Sequence, residues 1–565
     1  MKPVSLCLSV IVLGAAVAGQ STPGTPDPGN RAVVAGIVTK EPGGEPVKKA
    51  LIELIAENQA ESGNYTAMSG ADGVFRVEGI AAGRYRLYAE RTGLLEMDRH
   101  HARSEGRVLS VVPGQELKDV AIRMQVAAVV RGRITDEDGE PLPNANVAVL
   151  RQTFASGHGR WEQAGAERTN DLGEYRVAGL PPGNYYVSVS PPPDFKSLIE
   201  EAGRARSTAD AGAPEKPTAT TFQTTYYPGT TDRSQAAPIQ LRPGDEFPLN
   251  LSLAPSPSLS IRGSVVNLPA HSSASILLQS RDFGLMLNGG EMHNDGSFVI
   301  RDVAPGAYTI LATVENSVVP MTARQALQVG GTNIEGLRLA PQPGATVRGR
   351  LHLETKGSVG QIDASQIFFT LESAERDDAG GITLGQGFSN LAQLMADGSL
   401  EWRDVPPGEY YVRLASEMGE NRDWFVKSES VGGRDAEDSG ISVNGGTVVV
   451  DLVVSSDGAV IDGVVTNAKG EPIADAVIVA VPEARLRGRT DRYRKTVSDQ
   501  SGRFTLHGIP PGDYTLFAWE SVDGEAYYDP EFLKSCEGQG VALHVNEGER
   551  KSMQVQATSV AGEQP

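Results

Sequence analysis

The sequence predicts an all-β protein: a tandem array of five β-sandwich domains that follows an N-terminal signal peptide. Two observations support this prediction. Gly (64) and Pro (35) are abundant among the 565 residues, and this density of turn formers argues against a mostly helical chain. In addition, one phrase of turns and alternating apolar residues occurs five times with fixed internal spacing. Its period of about 100 residues is long enough for each unit to bury a core without disulfides.

Each copy of the phrase joins two strands through a tight corner. A Gly-containing turn leads to an apolar ring or Leu, which precedes a second Gly by eight positions and a Tyr by ten. The five Gly and Tyr pairs are Gly83 and Tyr85, Gly183 and Tyr185, Gly306 and Tyr308, Gly408 and Tyr410, and Gly512 and Tyr514. The strand before the corner alternates apolar and polar residues, so one of its faces is buried. The Tyr ring is expected to close one end of the sandwich core.

Each copy also opens with a similar strand and closes with a hairpin. The opening strands contain Val34–Val38, Val130–Ile134, Ile261–Val265, Val347–Leu351 and Ile461–Val465. The closing hairpins turn at Gly114, Gly244, Gly331, Gly446 and Gly548. Short strands at this spacing, separated by Gly and Pro turns, are typical of a β-sandwich.

These anchors divide the chain into segments. The predicted bounds are 1–18 for the signal peptide, 19–30 for a linker, and 31–126, 127–254, 257–340, 341–455 and 457–559 for the five sandwiches. The second sandwich has the largest insertion, residues 194–225, in which 194–203 has the pattern of a short helix and 204–221 that of a flexible loop. Asp529 and Pro530 predict a further helical turn in the last sandwich, with Asp529 as its N-cap.

The first 18 residues predict export. Lys2 precedes an apolar run, and Ala16 to Ala18 forms a small-x-small cleavage site, as in secretory signal peptides. No later stretch approaches the roughly 20 apolar residues of a membrane-spanning helix. The mature chain is therefore expected in the periplasm, at the cell surface or outside the cell. Cleavage leaves Cys536 without an intrachain partner, either as a reactive thiol or, the favoured interpretation, as a small apolar residue in a core.

Charge excludes one class of partner. Lys and Arg number 51 and Asp and Glu 71, which gives a formal net charge of −20. A molecule with this charge repels phosphate backbones and anionic lipid surfaces. The sequence therefore predicts no nucleic-acid partner.

The opening at residues 139–147, Gly-Glu-Pro-Leu-Pro-Asn-Ala-Asn-Val, and the recurring Pro-Gly-x-Tyr corner resemble the carboxypeptidase regulatory-like family. This transthyretin-like or prealbumin-like sandwich is also grouped with Cna-B-type repeats. The resemblance covers nearly the whole mature chain and implies a transthyretin-like, Ig-like sandwich in each repeat. It implies little about function, because such modules are appendages of many secreted bacterial proteins. Cna-B-type domains often have a Lys–Asn isopeptide bond that starts in the first strand, but the opening strands here have Arg or no basic residue, so the bond is not expected.

The sequence offers only weak candidates for catalytic and metal-binding residues. His544 and Glu547 match the His-x-x-Glu zinc pair of metallocarboxypeptidases, but the short remaining chain cannot supply a third ligand and a catalytic Glu. His100 and His101 are expected to point to opposite faces, so a solvated loop pair is favoured over a metal site. Residues 136–139 are interpreted as a solvated turn in preference to a calcium loop.

The sequence has no Gly-x-Ser-x-Gly elbow, Gly-Lys-Ser/Thr phosphate loop or Cys-x-x-Cys pair. It therefore predicts a protein that is not an enzyme, with no catalytic residue, cofactor or metal ligand.

Five aromatic side chains outside the repeat pattern are candidate glycan contacts: Trp161, Tyr226, Tyr227, Trp424 and Trp519. Exposed flat rings on a β-sandwich can stack on sugar faces. Alignment of the copies places Trp402 in a core and points Trp519 outward. The favoured alternative is that each ring covers its own loop or seals a junction between repeats.

The leading hypothesis is an exported, non-catalytic array with a structural or protein-interaction role in the bacterial periplasm or at the cell surface. Its partners would be other envelope proteins or glycans. A carbohydrate-binding array is the first alternative, and a hydrolase with an unrecognised site is the second. Aromatic rings at an exposed edge favour carbohydrate binding, whereas rings buried at junctions favour a scaffold.

Overall fold

The computed structural model describes residues 31–57, 63–97, 106–155, 158–191, 220–269, 272–281, 287–315, 321–354, 368–373, 391–395, 397–415 and 423–558. Regular structure in these ranges is almost all β-strand, which confirms the predicted fold class. The signal peptide, the linker, His100 and His101, and the predicted helix at 194–203 lie outside the described residues. Within the ranges given, no helix is both long and apolar enough to cross a bilayer.

Repeat 1 is a sandwich of two sheets. Its strands are β1 (Ala32–Glu41), β2 (Glu45–Pro46), β3 (Leu51–Ala56), β4 (Tyr65–Met68), β5 (Val74–Ile80), β6 (Gly83–Glu90), β7 (Leu94–Glu96), β8 (Arg107–Val111) and β9 (Glu116–Val126). One sheet has the order β2-β1-β9-β7 with β5 also paired to β1, and the other has the order β4-β3-β6-β8. Ile52, Phe75 and Tyr85 are buried between them.

Repeat 2 repeats this arrangement. Its strands are β10 (Ala128–Thr135), β11 (Asn146–Ala155), β12 (His158–Arg168), β13 (Glu174–Leu180), β14 (Gly183–Ser190), β15 (Thr220–Phe222), β16 (Thr225–Tyr226), β17 (Ile239–Leu241), β18 (Glu246–Pro248), β19 (Leu251–Ser252) and β20 (Pro255–Pro257). The sheets are β13-β10-β18 with β19 on β10, and β12-β11-β14-β16 with β17 on β14. A 3-10 turn spans Arg233–Gln235, and β15 pairs with β20.

Repeat 3 forms one continuous sheet. Its strands are β21 (Leu259–Val265), β22 (Ser273–Ser280), β23 (Leu287–Met292), β24 (Ser297–Val303), β25 (Gly306–Glu315), β26 (Met321–Val329), β27 (Ile334–Leu339) and β28 (Gln342–Pro343). Their order is β27-β21-β24-β23-β22-β25-β26-β28. The two halves are joined because β23 pairs with both β22 and β24.

Repeat 4 returns to two sheets. Its strands are β29 (Ala345–Glu354), β30 (Phe368–Ser373), β31 (Leu391–Gln393), β32 (Ser399–Val405), β33 (Gly408–Leu414), β34 (Phe425–Val431), β35 (Arg434–Asp435), β36 (Ile441–Val443) and β37 (Thr447–Ser455). The sheets are β32-β29-β37-β34-β35 and β31-β30-β33-β36. Trp402 is fully buried in the core between them, as the alignment of the copies predicts.

Repeat 5 has a third layer outside its two sheets. Its strands are β38 (Ala459–Thr466), β39 (Val477–Pro482), β40 (Arg494–Val497), β41 (Arg503–Ile509), β42 (Gly512–Trp519), β43 (Val541–Val545) and β44 (Arg550–Gln556). The sheets are β41-β38-β44 and β40-β39-β42-β43. The 3-10 turns Ala484–Leu486, Thr490–Arg492 and Asp523–Tyr528 and the helix α1 (Pro530–Ser535) lie outside them. Asp529 caps α1 by accepting a hydrogen bond from the Glu531 amide, which confirms the predicted helical turn.

The third layer explains the sequence of β39. All six residues of this strand are buried, because alternate side chains enter two different cores. Ile478 and Ala480 face the sandwich core, whereas Val477, Val479 and Val481 face a second apolar cluster under the third layer. A continuous apolar run is the expected pattern for a strand that is covered on both faces.

The pairing of the opening strand is the same in all repeats. It runs antiparallel to the strand before the Tyr corner and parallel to the closing strand, as β1 does with β5 and β9. The equivalent antiparallel pairs all have a register shift at the same place. The residue at this bulge has a positive φ: Gly79, Gly179, Asp302, Asp404 and Gly508.

The repeat Tyr closes the corner as expected. In four copies its hydroxyl donates a hydrogen bond to the carbonyl oxygen four residues earlier, at distances of 2.7 to 2.9 Å. These Tyr residues are Tyr85, Tyr185, Tyr308 and Tyr410. In the fifth copy, burial raises the pKa of Tyr514 to about 12. The fixed spacing in the sequence therefore reflects a ring that packs in the core while its hydroxyl holds the corner.

Candidate functional site: the contacts of repeat 5 with other repeats

The segment between β39 and β40 leaves repeat 5 and lies against repeat 4. It contains the 3-10 turns Ala484–Leu486 and Thr490–Arg492, and it presents Arg489 and Arg492. The side chain of Arg489 is 4% exposed, and that of Glu429 on β34 is 1% exposed. An ion pair between the repeats is thus removed from water.

Arg489 uses its whole guanidinium group in this contact. Its Nε and Nη2 donate to the two carboxylate oxygens of Asp491 at 2.8 and 2.9 Å. Its Nη1 donates to Glu429 Oε1 and, at 2.8 Å, to the carbonyl oxygen of Glu437. The group also lies over the ring of Tyr411, with Cζ 4.6 Å from the ring centre. A planar arginine that is bonded through all three of its nitrogens fixes the orientation of the two repeats.

Neighbouring charges extend the cluster. Arg492 Nη2 donates to Glu437 Oε1, and Arg413 of repeat 4 donates to Thr490 Oγ1. We name Glu429, Glu437, Arg489, Asp491 and Arg492 the junction cluster. The two arginines of repeat 5 pair with the carboxylates of repeat 4, and Arg489 also pairs with Asp491 of its own repeat, so each of these charges has an opposite partner.

The protonation states follow from burial and pairing. Burial opposes ionisation of Asp491, but its hydrogen bonds and the charge of Arg489 lower its pKa to about 2. Burial raises the pKa of Glu429, while Arg489 acts in the opposite direction. Burial also acts against the charge of Arg489, but Asp491 and Glu429 raise its pKa above the usual value. Arg489 and Asp491 are therefore both charged at neutral pH.

Two further contacts join repeats 4 and 5. Lys427 Nζ lies 2.8 Å from Glu547 Oε2, and the Ser455 hydroxyl donates to Glu547 Oε1 at 2.6 Å. His507 Nδ1 lies 2.8 Å from Asp423 Oδ1. Glu547 thus takes part in a contact between repeats. The imidazole of His544, in contrast, is paired with Asp513 at 2.7 Å. The structure gives His544 and Glu547 different partners.

Repeat 5 also contacts repeat 1. Arg107 Nε donates to Asp475 Oδ2 at 2.7 Å, and both side chains are about four-fifths buried. The Gln500 side chain accepts from the Ser110 amide at 3.1 Å and donates to the Ser110 carbonyl at 2.9 Å. The side-chain amide of Gln500 therefore pairs with the backbone of β8 in the manner of an added strand residue.

Repeat 2 is the third neighbour of repeat 5. Its strand β11 contacts the 3-10 turn Asp523–Tyr528. Phe154, near the end of β11, packs against the apolar cluster under the third layer. Repeat 5 therefore contacts repeats 1, 2 and 4 through different surfaces.

The candidate glycan contacts in repeat 2 form one aromatic group. The half-buried ring of Trp161 stacks on Tyr186 at 4.3 Å and meets the edge of Tyr226 at 5.9 Å. Arg233 lies over the Trp161 ring at 4.5 Å. Tyr226 is 1% exposed, so its ring is not open to a glycan and packs as in the favoured alternative. Tyr227 is half-buried against the core of repeat 2, so a glycan role stays a prediction for Trp161 and Tyr227 only.

The other two candidate rings are buried. Trp424 is 7% exposed and lines a small cavity with Asp491 and Arg492 at the junction of repeats 4 and 5. Trp519 faces away from the sandwich core, as its alignment predicts, but it is 0% exposed. It stacks on Phe517 at 5.1 Å and packs against Phe532 of α1. Their burial is that of the favoured alternative: a junction covers Trp424 and the third layer covers Trp519, so neither ring is open to a glycan.

Two other sequence interpretations are confirmed. Cys536 is 4% exposed and packs in the apolar cluster under the third layer. The Asp136 side chain accepts hydrogen bonds from the amides of Asp138 and Glu140, as in an exposed Asx-type turn.

Sequence reasoning missed the junction cluster. One signal was available: residues 485–495 contain six basic residues in a chain with a net charge of −20. A dense basic segment between two strands of an acidic protein indicates partners of opposite charge nearby. The carboxylates of repeat 4 are those partners.

Comparison with known proteins gives a family match. The model of the carboxypeptidase regulatory-like domain matches residues 33–125, 129–196 and 460–528. No curated protein matches the chain.

Similar solved structures include one further bacterial protein and two pilins. The Bacillus anthracis TIE protein is 12% identical, with a TM-score of 0.17, and the match covers 55% of this chain and 51% of that protein. The minor pilin GBS52 of Streptococcus agalactiae is 11% identical, with a TM-score of 0.21 and coverages of 40% and 97%. BcpA, the major pilin subunit of Bacillus cereus, is 10% identical, with a TM-score of 0.14 and coverages of 76% and 99%.

Proposed function

We propose that this chain, which contains carboxypeptidase regulatory-like domains, is an exported, non-catalytic array that acts as a structural or protein-interaction component of the bacterial envelope. The proposed units are the five sandwiches at 31–126, 127–254, 257–340, 341–455 and 457–559. The observation that carries the proposal is the set of contacts that repeat 5 makes with repeats 1, 2 and 4. The array is thereby held in one shape.

The positions of the buried charged and tryptophan side chains support a structural role. Arg489 and Glu429 are buried in a contact between repeats, and the Trp424 ring lines the same junction. Trp519 packs beneath the third layer of repeat 5. These charges and rings stabilise the arrangement of the repeats and leave their outer surfaces to meet partners.

The test is the shape of the full chain in solution. Small-angle X-ray scattering of the parent should give one compact profile that does not change between low and high salt. The double variant Arg107→Ala with Gln500→Ala removes the contact between repeats 1 and 5, and it should increase the radius of gyration. Arg84→Ala is the matched control, because Arg84 forms an ion pair of similar burial with Glu57 inside repeat 1.

Three outcomes decide the proposal. A larger radius for the double variant and an unchanged radius for Arg84→Ala support a fixed array. A parent whose profile expands as freely jointed domains contradicts it. A parent profile identical to that of the double variant contradicts it as well, because the contact between repeats 1 and 5 would then not hold the shape.

A further inference from the structure

A groove of about 740 Å³ lies between repeats 3 and 4. Repeat 3 contributes Arg281 after β22, residues of β25 and β26, and the end of β27 with the segment that follows it; repeat 4 contributes its Pro406–Gly408 corner, Ser373 and Tyr410. A volume of this size falls in the range of small-molecule and oligomer sites. The groove is distinct from the contacts of repeat 5.

The charged side chains that line the groove are all basic. They are Arg281, Arg324 and Arg338, and no described lining residue is an Asp or Glu. Among the described residues, Arg281 and Arg338 form no ion pair. Arg338 and Arg324 are exposed, and Arg281 is half-buried. In a chain with a net charge of −20, two arginines at one groove without an acidic partner among the described residues are unusual.

The local charge of the groove determines which ligands it attracts. Charges in water are screened over about 8 Å at physiological salt, so distant carboxylates scarcely affect a ligand held between these arginines. Arginine recognises carboxylate and phosphate groups through paired N–H donors. The groove therefore attracts an anion although the whole molecule is acidic.

The uncharged polar groups that line the groove indicate which other groups the ligand carries. Hydroxyl and amide groups come from Thr309, Thr322, Gln325, Gln342 and Ser373. These groups both donate and accept hydrogen bonds, which suits a ligand with many hydroxyls. The strand β25 has no free edge, because it pairs with β22 and β26, whereas β26 pairs with β28 only at Met321 and Thr322. Beyond Thr322 the outer edge of β26 has no strand partner among the described residues, so an acidic peptide is the competing ligand and the experiment must separate it from an oligosaccharide.

We propose that the groove between repeats 3 and 4 binds an acidic oligosaccharide, with its carboxylates on Arg281 and Arg338 and its hydroxyls on the threonine and glutamine side chains. This site differs from the aromatic candidates. It adds a ligand to the proposed scaffold and does not depend on the scaffold function.

The experiment is titration calorimetry of the full chain with a hexamer of galacturonic acid at low and high salt. We expect binding that weakens with salt, and a loss of about tenfold or more in affinity for Arg281→Gln with Arg338→Gln. Arg301→Gln is the matched control, because Arg301 is exposed on β24 of the same repeat, outside the groove lining, and is paired with Glu291. It should retain the parent affinity within about twofold. Arg338→Lys should retain part of the affinity. This result would show that the substitutions act through charge.

Comparison ligands make the result specific. A neutral glucose hexamer should bind at least about tenfold more weakly, because it lacks the carboxylates. Hexaglutamate should also bind more weakly, because it lacks the hydroxyls. Absence of galacturonate binding, equal affinity in the double variant with an unchanged melting temperature, or equal affinity for hexaglutamate would each overturn the proposal.

Discussion

The two junctions of repeat 4 use arginine in opposite ways. At the junction with repeat 5, Arg489 is 4% exposed and bonded to two carboxylates. At the junction with repeat 3, Arg281 and Arg338 line an open groove and have no carboxylate partner among the described residues. The first junction satisfies its charges internally, whereas the second leaves them available to a ligand.

The difference shows that the partner of an arginine, more than its presence, decides the role of a junction. A buried cation is tolerated only with opposite charges and full hydrogen bonding, and removal of one partner leaves the others unpaired. An arginine in an open groove stays hydrated, so its removal costs the fold little. The stability and the ligand affinity of the array should therefore respond to different arginines.

The largest expected effect is on the junction cluster. Arg489→Ala leaves the buried Glu429 and Asp491 without their cation, and we expect a loss of about 3 to 5 kcal/mol in the free energy of unfolding. Denaturant unfolding of the full chain measures it, followed by the total tryptophan fluorescence, to which Trp424 in the same junction contributes. The control is Arg485→Ala in the same segment, whose partner Asp438 is exposed, with an expected loss below about 1 kcal/mol. Equal losses in both variants would contradict the distinction between buried and exposed arginines.

A second prediction concerns acid. The folded-state pKa of Asp491 is about 2, below its ordinary value of 3.8, so its contribution is complete above pH 3.8 and is lost as the pH falls towards 2. The difference corresponds to roughly 2 kcal/mol. The raised pKa of Glu429 acts in the opposite sense, because its protonation on acidification favours the folded state.

The comparison of parent with Asp491→Asn isolates the first group. The parent should lose its advantage over the variant between about pH 4 and pH 2, measured by unfolding at each pH. A constant difference across this window would show that ionisation of Asp491 does not stabilise the junction.

The smallest expected effect on stability concerns the groove at the junction of repeats 3 and 4. Gln342→Glu places a carboxylate among the groove arginines and makes this junction resemble the other. We expect a change in unfolding free energy below about 1 kcal/mol, because the site is exposed, and a clear loss of galacturonate binding. Gln328→Glu, on β26 outside the groove lining, is the control for the added charge. Similar binding by both variants would contradict a role for local charge in the groove.

The sandwiches were predictable from the sequence because their determinants are local. The spacing from the turn to the Tyr, the alternation in the strands and the cap at Asp529 each involve residues close in the chain. The burial of Trp402 followed from alignment of the copies, since equivalent strand positions face the same core.

The candidate site was not predictable for the opposite reason. Arg489 and Glu429 are 60 positions apart, and Arg107 and Asp475 are 368 apart, so their pairing depends on how whole repeats are placed. The direction of Trp519 was predicted correctly, but its burial depends on α1 and the turn before it, which are additions specific to repeat 5. Alignment of the repeats predicts the fold that they share but cannot predict such additions.

The contact between Arg107 and Asp475 also has a consequence for the order of folding. Contacts between residues so distant in sequence form late, because the entropy of closing the intervening chain must be offset by structure already in place. Repeats 1 and 2 are synthesised before repeat 5 and can form their cores alone, whereas their surfaces against repeat 5 stay uncovered until repeat 5 has been made. Completion of repeat 5 is thus the step that brings these surfaces together.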